Sequence, residues 1–254
     1  MDPILYQAAA GMNASTRWQE IIADNLSAGQ IPGFKKQDVA FSAVQAGFMV
    51  RAAGTSPSAA QRFTMPLAGT VTNFSAGELR PTGVATDLAV EGPGFFEVQM
   101  PDGSSSYTRD GEFRVNAKGQ LTTKQGLPVM GRSGPIQLNV NDTAPMSVSA
   151  TGEVSQGSQL KGRLKVAVFS DPSALTPTGT GLFIAGDPSI EPVTTAKPTV
   201  RQGVLEGGNA SPLTEMGDLL TAMRLYEANQ KVIQMEDDRV GRLISDVGNP
   251  APGS

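Results

Sequence analysis

The sequence predicts a mainly β protein with long α-helices at its N- and C-terminal ends. Turn residues recur about every 8–12 residues through the middle of the chain, which is typical of an all-β domain. Both ends instead carry apolar residues at steps of three and four, which indicates helices. The 29 Gly and 18 Pro among 254 residues support a turn-rich centre. We therefore expect a central all-β domain, with the terminal helices pairing as a coiled coil.

The first predicted helix covers residues 3–26, which contain no internal proline after Pro3. Asp2 is a candidate N-cap, with Pro3 at the first helical position. A thin apolar stripe, interrupted by Ser15 and Gln19, marks one face. The stripe consists of Ile4, Leu5, Ala8, Met12, Trp18, Ile22 and Leu26. Because Pro and Gly at 32–33 stop any helix, we assign residues 1–34 to this helix and its turn.

The second predicted region, residues 35–76, shows no sustained period. Small residues, Thr and Pro crowd positions 54–60, which favours an extended arm. We expect short strands at 39–41 and 62–65.

The third predicted region, residues 77–200, is the central β domain. Short apolar or alternating runs follow one another from residue 88 onward, and Pro-Asp-Gly at 101–103 is a strong hairpin signal. The run at 163–169 is the best single strand. We expect loops at 171–181 and 188–198, where Pro, Gly and Thr accumulate.

The last predicted region, residues 201–254, contains the clearest pattern in the chain. Ser211 and Pro212 indicate a helix start. A heptad seam then continues for about four to five heptads, which is typical of a coiled coil. The seam consists of Met216, Leu219, Met223, Tyr226, Gln230, Ile233, Asp237, Val240, Ile244 and Val247.

Such a helix needs another helix as its partner. At about 1.5 Å per residue, residues 212–247 would extend roughly 54 Å, too far to be covered by a domain a few strands wide. The partner is either a helix of the same chain, giving a closed two-helix stalk, or helices of neighbouring subunits. Periodicity alone favours both equally.

Composition excludes several classes of function. The chain has neither Cys nor His, which removes thiol nucleophiles, disulfides, zinc-thiolate sites and the Ser-His-Asp triad. A net charge of −4 gives no basic face for nucleic acid. No apolar run is long enough to span a membrane, and the N-terminus lacks the features of a cleaved secretory signal. We expect no cofactor and no metal ion, since the acidic run at 236–239 is typical of a solvated helix face.

Several blocks of the sequence resemble bacterial flagellar rod and hook proteins. Asn25 and Leu26, followed by Pro-Gly-Phe-Lys at 32–35, match the N-terminal signature of that family, although residues 24, 27 and 28 depart from it. The central blocks at 86–96, 107–113, 119–121 and 126–129 resemble its β domain. The blocks at 203–209 and 226–233 resemble its C-terminal helix and the segment before it.

The resemblance implies a non-enzymatic structural subunit of the flagellar basal-body rod, which transmits torque from motor to hook. It implies polymerisation through the terminal helices, with other copies and other rod proteins as partners, including distal rod or hook-side neighbours. The subunit would lie in the periplasmic rod after type III export without a cleaved signal peptide. The step at 134–136 and the run at 162–173 resemble a proximal rod member most, with a distal rod or short hook-type subunit as the alternative.

The predicted assembly interface combines residues from both terminal helices. Asn25 and Asn229 are candidate polar contacts that fix the register. An ordinary core within one chain is the alternative role for all of them. The interface consists of Leu5, Ala8, Met12, Ile22, Asn25, Leu26, Met216, Leu219, Met223, Tyr226, Asn229, Ile233, Val240 and Ile244.

Two functions of other classes compete with a rod subunit. A periplasmic peptidoglycan hydrolase would use a carboxylate pair drawn from Asp102, Asp110 and Glu112, although Asp-Gly turn chemistry explains both Asp residues. An adhesin with a coiled-coil stalk would form a closed oligomer instead of an open filament.

Overall fold

The computed structural model describes residues 3–48, 61–178, 181–186, 192–193 and 198–248. Helix α1 covers Pro3–Ala28 and helix α2 covers Pro212–Gly248. The strands are β1 (Gln37–Phe48), β2 (Gln61–Thr72), β3 (Leu79–Pro81), β4 (Leu88–Glu91), β5 (Phe95–Gln99), β6 (Ser105–Thr108), β7 (Arg114–Val115), β8 (Leu121–Thr122), β9 (Met130–Gly131), β10 (Gly134–Pro135), β11 (Met146–Val148), β12 (Glu153–Gln156), β13 (Gln159–Arg163), β14 (Val166–Ala167), β15 (Leu175–Thr178), β16 (Leu182–Ala185), β17 (Thr199–Gln202) and β18 (Val204–Glu206). The predicted mainly β architecture with a helix at each end is confirmed.

The chain divides into two compact units. The helical unit is drawn from Met1–Asp24, Gln37–Val71 and Pro212–Ser254, and the β unit from Asn25–Lys36 and Thr72–Ser211. Within the described part of the chain, neither helix is both long and apolar enough to cross a membrane.

In the helical unit, α1 and α2 contact each other within one chain. A Cβ placed on Gly11 of α1 would lie 2.8 Å from Nδ2 of Asn229 on α2. Gly29, directly after α1, and Ala210, two residues before α2, are neighbours in the β unit. The position after the end of α1 meets the position before the start of α2, and Gly11 near the start of α1 meets Asn229 farther along α2. The two helices therefore run antiparallel. A coiled coil between them remains a prediction.

The arm contains longer strands than the sequence predicts. β1 and β2 each have twelve residues and pair into a two-stranded sheet, where we expected short strands at 39–41 and 62–65. The weak period of the sequence misses them because sheet formation depends more on a pairing partner than on intrinsic propensity. Phe41 of β1 packs edge-to-face on Trp18 of α1, with ring centroids 5.7 Å apart. The small-residue segment at 54–60 lies outside the described residues.

The β unit is built around a five-stranded antiparallel sheet with the strand order β14-β5-β6-β16-β15. β5 alternates between two clusters of side chains, as a strand buried on both faces requires. Phe96 lies in the larger core beside Phe113, while Phe95 lies in an aromatic cluster on the other face. That second cluster includes Phe74, from the segment after β2.

The best predicted strand, 163–169, is divided between two sheets. Arg163 ends β13 in a three-stranded sheet with β11 and β12, whereas β14 pairs with β5. Leu164 lies between them and bridges Gly131. Leu164 is buried and Lys165 is exposed, and Ala167, Val168 and Phe169 are buried in turn, so the segment leaves one sheet and enters the next with its apolar side chains covered. The predicted loop at 171–181 instead contains a short 3₁₀ helix (Pro172–Ala174) and β15.

The last two strands bring the chain back to the beginning of the β unit. β17 pairs with β4, and β18 pairs with β3. The backbone N–H of Gly203, between them, donates to the carbonyl of Asp87. The segment that leads into α2 is therefore fixed to the strands that open the β unit.

Candidate assembly site

Helix α2 has one covered face and one exposed apolar stripe. Ala222 and Glu215 are buried, and Leu219, Tyr226 and Ile233 are half-buried on the same side. The exposed stripe, defined by Leu213, Met216, Leu220 and Met223, follows steps of three, four and three residues. Met216 is 56% exposed and Leu220 is 59% exposed. Since residues at such steps share a helix face, this stripe is continuous.

The predicted C-terminal interface residues are divided between these two faces. Leu219, Tyr226, Asn229 and Ile233 are half-buried. The remaining members, Met216, Met223, Val240 and Ile244, are exposed. The seam therefore runs between the covered face and the exposed side of α2, and its role in assembly stays a prediction.

The N-terminal interface residues lie at or next to the buried face of α1. Ala8, Ile22 and Asn25 are buried. Leu5, Met12 and Leu26 are half-buried. Ser15, which we took as an interruption of the stripe, is fully buried, and its hydroxyl donates to the carbonyl of Gly11 at 2.8 Å. Serine fits an apolar helix face when its hydroxyl bonds to the preceding turn.

The β unit contains a buried ion cluster, which we define as Lys35, Arg109 and Glu206. Lys35 Nζ donates to Glu206 Oε1 at 2.6 Å, and Arg109 Nη1 donates to Glu206 Oε2 at 3.1 Å. The side chains of Lys35 and Glu206 are 1% and 2% exposed. One carboxylate thus joins the Pro-Gly-Phe-Lys turn, the end of β6 and the end of β18.

Further hydrogen bonds surround the ion cluster, although Arg109 Nε is buried without a hydrogen-bond partner. Lys35 Nζ also donates to the carbonyl of Ser75, and the backbone N–H of Gly77 donates to Glu206 Oε1. The Arg109 guanidinium donates to the carbonyls of Val90 and Gly92. It also stands over the Phe95 ring at 5.1 Å from the centroid, a cation–π contact.

Burial dominates the electrostatics of the two cations. Desolvation lowers the pKa of Lys35 below its ordinary value, although the hydrogen bond and charge of Glu206 act in the opposite direction. Burial likewise lowers the pKa of Arg109, again opposed by Glu206. Burying these two positive charges therefore costs desolvation free energy, and the negative charge of Glu206 compensates for that cost.

Asn209 and Gly33 complete the junction around the ion cluster. Asn209 Oδ1 accepts from the backbone N–H of Lys36, and its Nδ2 donates to the carbonyls of Asn73 and Ser75. Gly33 has φ +69° and donates its backbone N–H to the carbonyl of Glu206 at 2.7 Å. A Cβ on Gly33 would collide with the backbone of Arg109.

The blocks at 32–35, 107–113 and 203–209 contain the three residues of the ion cluster, but the sequence pattern does not indicate that their charges meet. Lys35 and Glu206 are 171 residues apart, so nothing local connects them. The available signal is that Lys35 and Arg109 are positive and Glu206 is negative. All three lie inside family-like blocks of a chain in which only 17% of the residues are charged.

The carboxylates considered for hydrolysis have turn roles. Asp110 Oδ1 accepts from the backbone N–H of Glu112, and burial raises the pKa of Asp110. Asp102 accepts from the hydroxyl and backbone N–H of Ser104, which lower its pKa. In the described residues, no three acidic side chains are grouped in a way that could hold a metal ion.

Two family models match the chain. Residues 89–156 match the flagellar hook protein FlgE/F/G D1 domain, and residues 201–246 match the C-terminal model of flagellar basal body rod FlgEFG proteins. The first lies within the β unit, and the second contains Glu206 and most of α2.

The similar proteins carry two names. The flagellar basal-body rod protein FlgG of Borreliella burgdorferi is 33% identical over 93% of this chain and 96% of its own. The rod protein FlgF of Caulobacter vibrioides is 34% identical over 92% of this chain and 93% of its own. The rod protein FlgF of Escherichia coli is 32% identical over 95% of this chain and 97% of its own length.

The variant Glu206→Gln tests the ion cluster. It leaves two buried cations without a compensating charge, so we expect the free energy of unfolding to fall by about 3 kcal/mol or more. Urea denaturation of the full chain measures this loss. Glu78→Gln is the matched control, since the Glu78–Arg80 pair is exposed and should change stability by less than about 0.5 kcal/mol. Equal effects of the two variants would contradict a structural role for the cluster.

The variants Gly33→Ala and Gly83→Ala test the junction at Gly33. Both glycines have φ near +70°, but a Cβ on Gly83 meets no atom within 4 Å. Gly83→Ala should therefore cost only the left-handed backbone strain, about 1–2 kcal/mol. Gly33→Ala adds a collision with the Arg109 backbone and should cost about 1–3 kcal/mol more. Denaturant midpoints that coincide would show that the close approach at Gly33 is not required.

Proposed function

Because this chain belongs to the family of flagellar basal-body rod proteins and is a structural subunit of the flagellar rod, we propose that copies of it join through the exposed stripe of α2. The observation that carries the proposal is the division of α2 into two faces. One face is covered in the single chain, while Leu213, Met216, Leu220 and Met223 remain exposed.

The exposed stripe has the chemistry of a helix–helix contact. Its four side chains are apolar, unbranched at Cβ and spaced like the knobs of a helix pair. Burying one such side chain completely contributes about 1.5–3 kcal/mol. Leaving all four in water in a soluble chain is costly unless a partner covers them.

The two faces let one helix hold its own chain and a neighbour together. In a closed two-helix stalk, the antiparallel α1 would cover the apolar positions of α2. Here the contact through Gly11 leaves the stripe available. We propose that α1 and α2 together provide the assembly interface, with Leu5, Met12, Leu26, Tyr226 and Ile233 beside the stripe and Val240 and Ile244 farther along α2.

The partners of this subunit are other rod and hook components of the flagellum. We assign the chain to the proximal rod, supported by the resemblance of its 134–136 and 162–173 segments to proximal members. In this position it would lie in the periplasm, reach it through flagellar type III export, and pass torque from the motor toward the hook.

Electron microscopy of basal bodies tests the proximal position. A strain that lacks the protein should form basal bodies that keep their membrane ring but have no rod beyond its base. A rod that is present and shortened only at its hook end would place the subunit distally and overturn the assignment.

The variants Met216→Asp and Leu220→Asp test the stripe. Each places a charge where a neighbouring helix must pack, so we expect loss of rod formation and of swimming in soft agar. Because both positions are exposed in the single chain, the free energy of unfolding should change by less than about 0.5 kcal/mol.

The matched control is Thr221→Asp, which introduces the same charge at an exposed position of α2 outside the stripe. It should leave swimming and rod formation intact. Wild-type rods in the Met216→Asp strain would refute assembly through the stripe.

A further inference from the structure

A pocket lies at one end of the β unit, where two turns meet. Gln99 ends β5 and residues 100–103 follow it, while residues 126–128 precede β9. They border an open pocket of about 430 Å³, lined by Met100, Pro101, Leu127 and Pro128 among others. Met100 and Leu127 are half-buried against the larger core and form the apolar part of a lining that is otherwise partly polar. We call this site the turn pocket.

A single apolar side chain projects from the β unit elsewhere. Leu160, in the hairpin of β12 and β13, is 68% exposed, the most exposed large apolar side chain among the described residues of the β unit. The hairpin turns through Gly157, which has φ +57°. Its neighbours Gln159 and Lys161 are hydrogen-bonded to each other, so Leu160 stands on a short polar hairpin.

The turn pocket and Leu160 lie in opposite directions from a short antiparallel pairing between residues 130–132 and 163–165. Gly131 bridges Leu164, and the backbone bonds from Arg132 to Arg163 and from Lys165 to Met130 confirm the antiparallel register. Moving from Gly131 back to Leu127 therefore leads away from Leu160. This register directs the Leu160 of a chain away from its own turn pocket.

The charges beside the turn pocket and beside Leu160 are complementary. Asp102 stands at the rim of the turn pocket as an exposed carboxylate, and hydrogen bonds from Ser104 lower its pKa and keep it ionised. Lys161 and Arg163 follow Leu160 on the hairpin. A second copy that inserts Leu160 would bring these cations toward that carboxylate.

We propose that Leu160 of one copy inserts into the turn pocket of the next copy. The contact is heterologous, since it joins two different surfaces, and each added copy presents a new free Leu160 and a new free pocket. Such contacts build an open helical array when the rotation between successive copies does not close into a ring. This inference rests on the proposed function, because it needs the subunits to assemble.

Site-directed disulfide formation tests the contact, and the absence of native cysteine makes it unambiguous. Basal bodies would be isolated from cells that carry Leu160→Cys and Leu127→Cys in one chain. Non-reducing electrophoresis should show a ladder of dimers, trimers and larger species. Cross-linking should proceed about tenfold or more faster than in the matched control, because docking raises the effective concentration of the two thiols.

The matched control combines Leu160→Cys with Val84→Cys, an exposed valine outside the turn pocket. Assembled rods that cross-link no faster than this control, or that cross-link equally with Leu160→Cys alone, overturn the proposed contact while the rod function stands. If the wild-type chain is absent from isolated rods, the proposed function fails together with the contact.

A second variant tests the charge contribution. Lys161→Glu, added to the Leu160→Cys and Leu127→Cys chain, should slow cross-linking by about threefold or more because it opposes Asp102 with a like charge. Lys161→Arg should preserve the rate. Equal rates for both variants would contradict the part of the proposal that places Lys161 beside Asp102.

Discussion

The buried carboxylate of Glu206 holds together the segments of the β unit that lie next to the arm and to helix α2. Lys35 lies just before β1, Ser75 and Gly77 lie just after β2, and Glu206 itself lies shortly before α2. The segments that lead to the arm and to the C-terminal helix are therefore tied to β6 at one buried point. An apolar cluster could supply comparable burial, but it would not fix three segments in one geometry as directed charged bonds do.

Helix α2 combines two requirements that act against each other. In the single chain, the face of α2 that includes Ala222 is covered, while the proposed assembly needs a second, apolar face for the neighbouring subunit. Placing the faces side by side satisfies both, at the cost of leaving Met216 and Leu220 in water before assembly. The low proportion of charged residues fits a subunit whose surface becomes covered.

The sequence predicted both helices and most strands, because their periods and turn residues are local signals. It did not distinguish the two faces of α2, since Met216 and Leu219 belong to the same heptad seam and only the position of α1 separates them. It underestimated β1 and β2, whose strands depend on each other. The ion cluster was inaccessible to local reasoning because Lys35 and Glu206 meet only in the folded chain.

The energetics imply an order of assembly. Complete burial of a single leucine contributes about 1.5–3 kcal/mol, less than the roughly 4 kcal/mol that even a millimolar complex requires. Leu160 alone therefore cannot hold two free chains together. The stripe of α2 offers four such side chains, so helix contacts must form first and bring the β units to a high effective concentration. In the proposed assembly, the contact of Leu160 then adds stiffness to an array that the helix contacts have built, which is what a shaft under torsion requires.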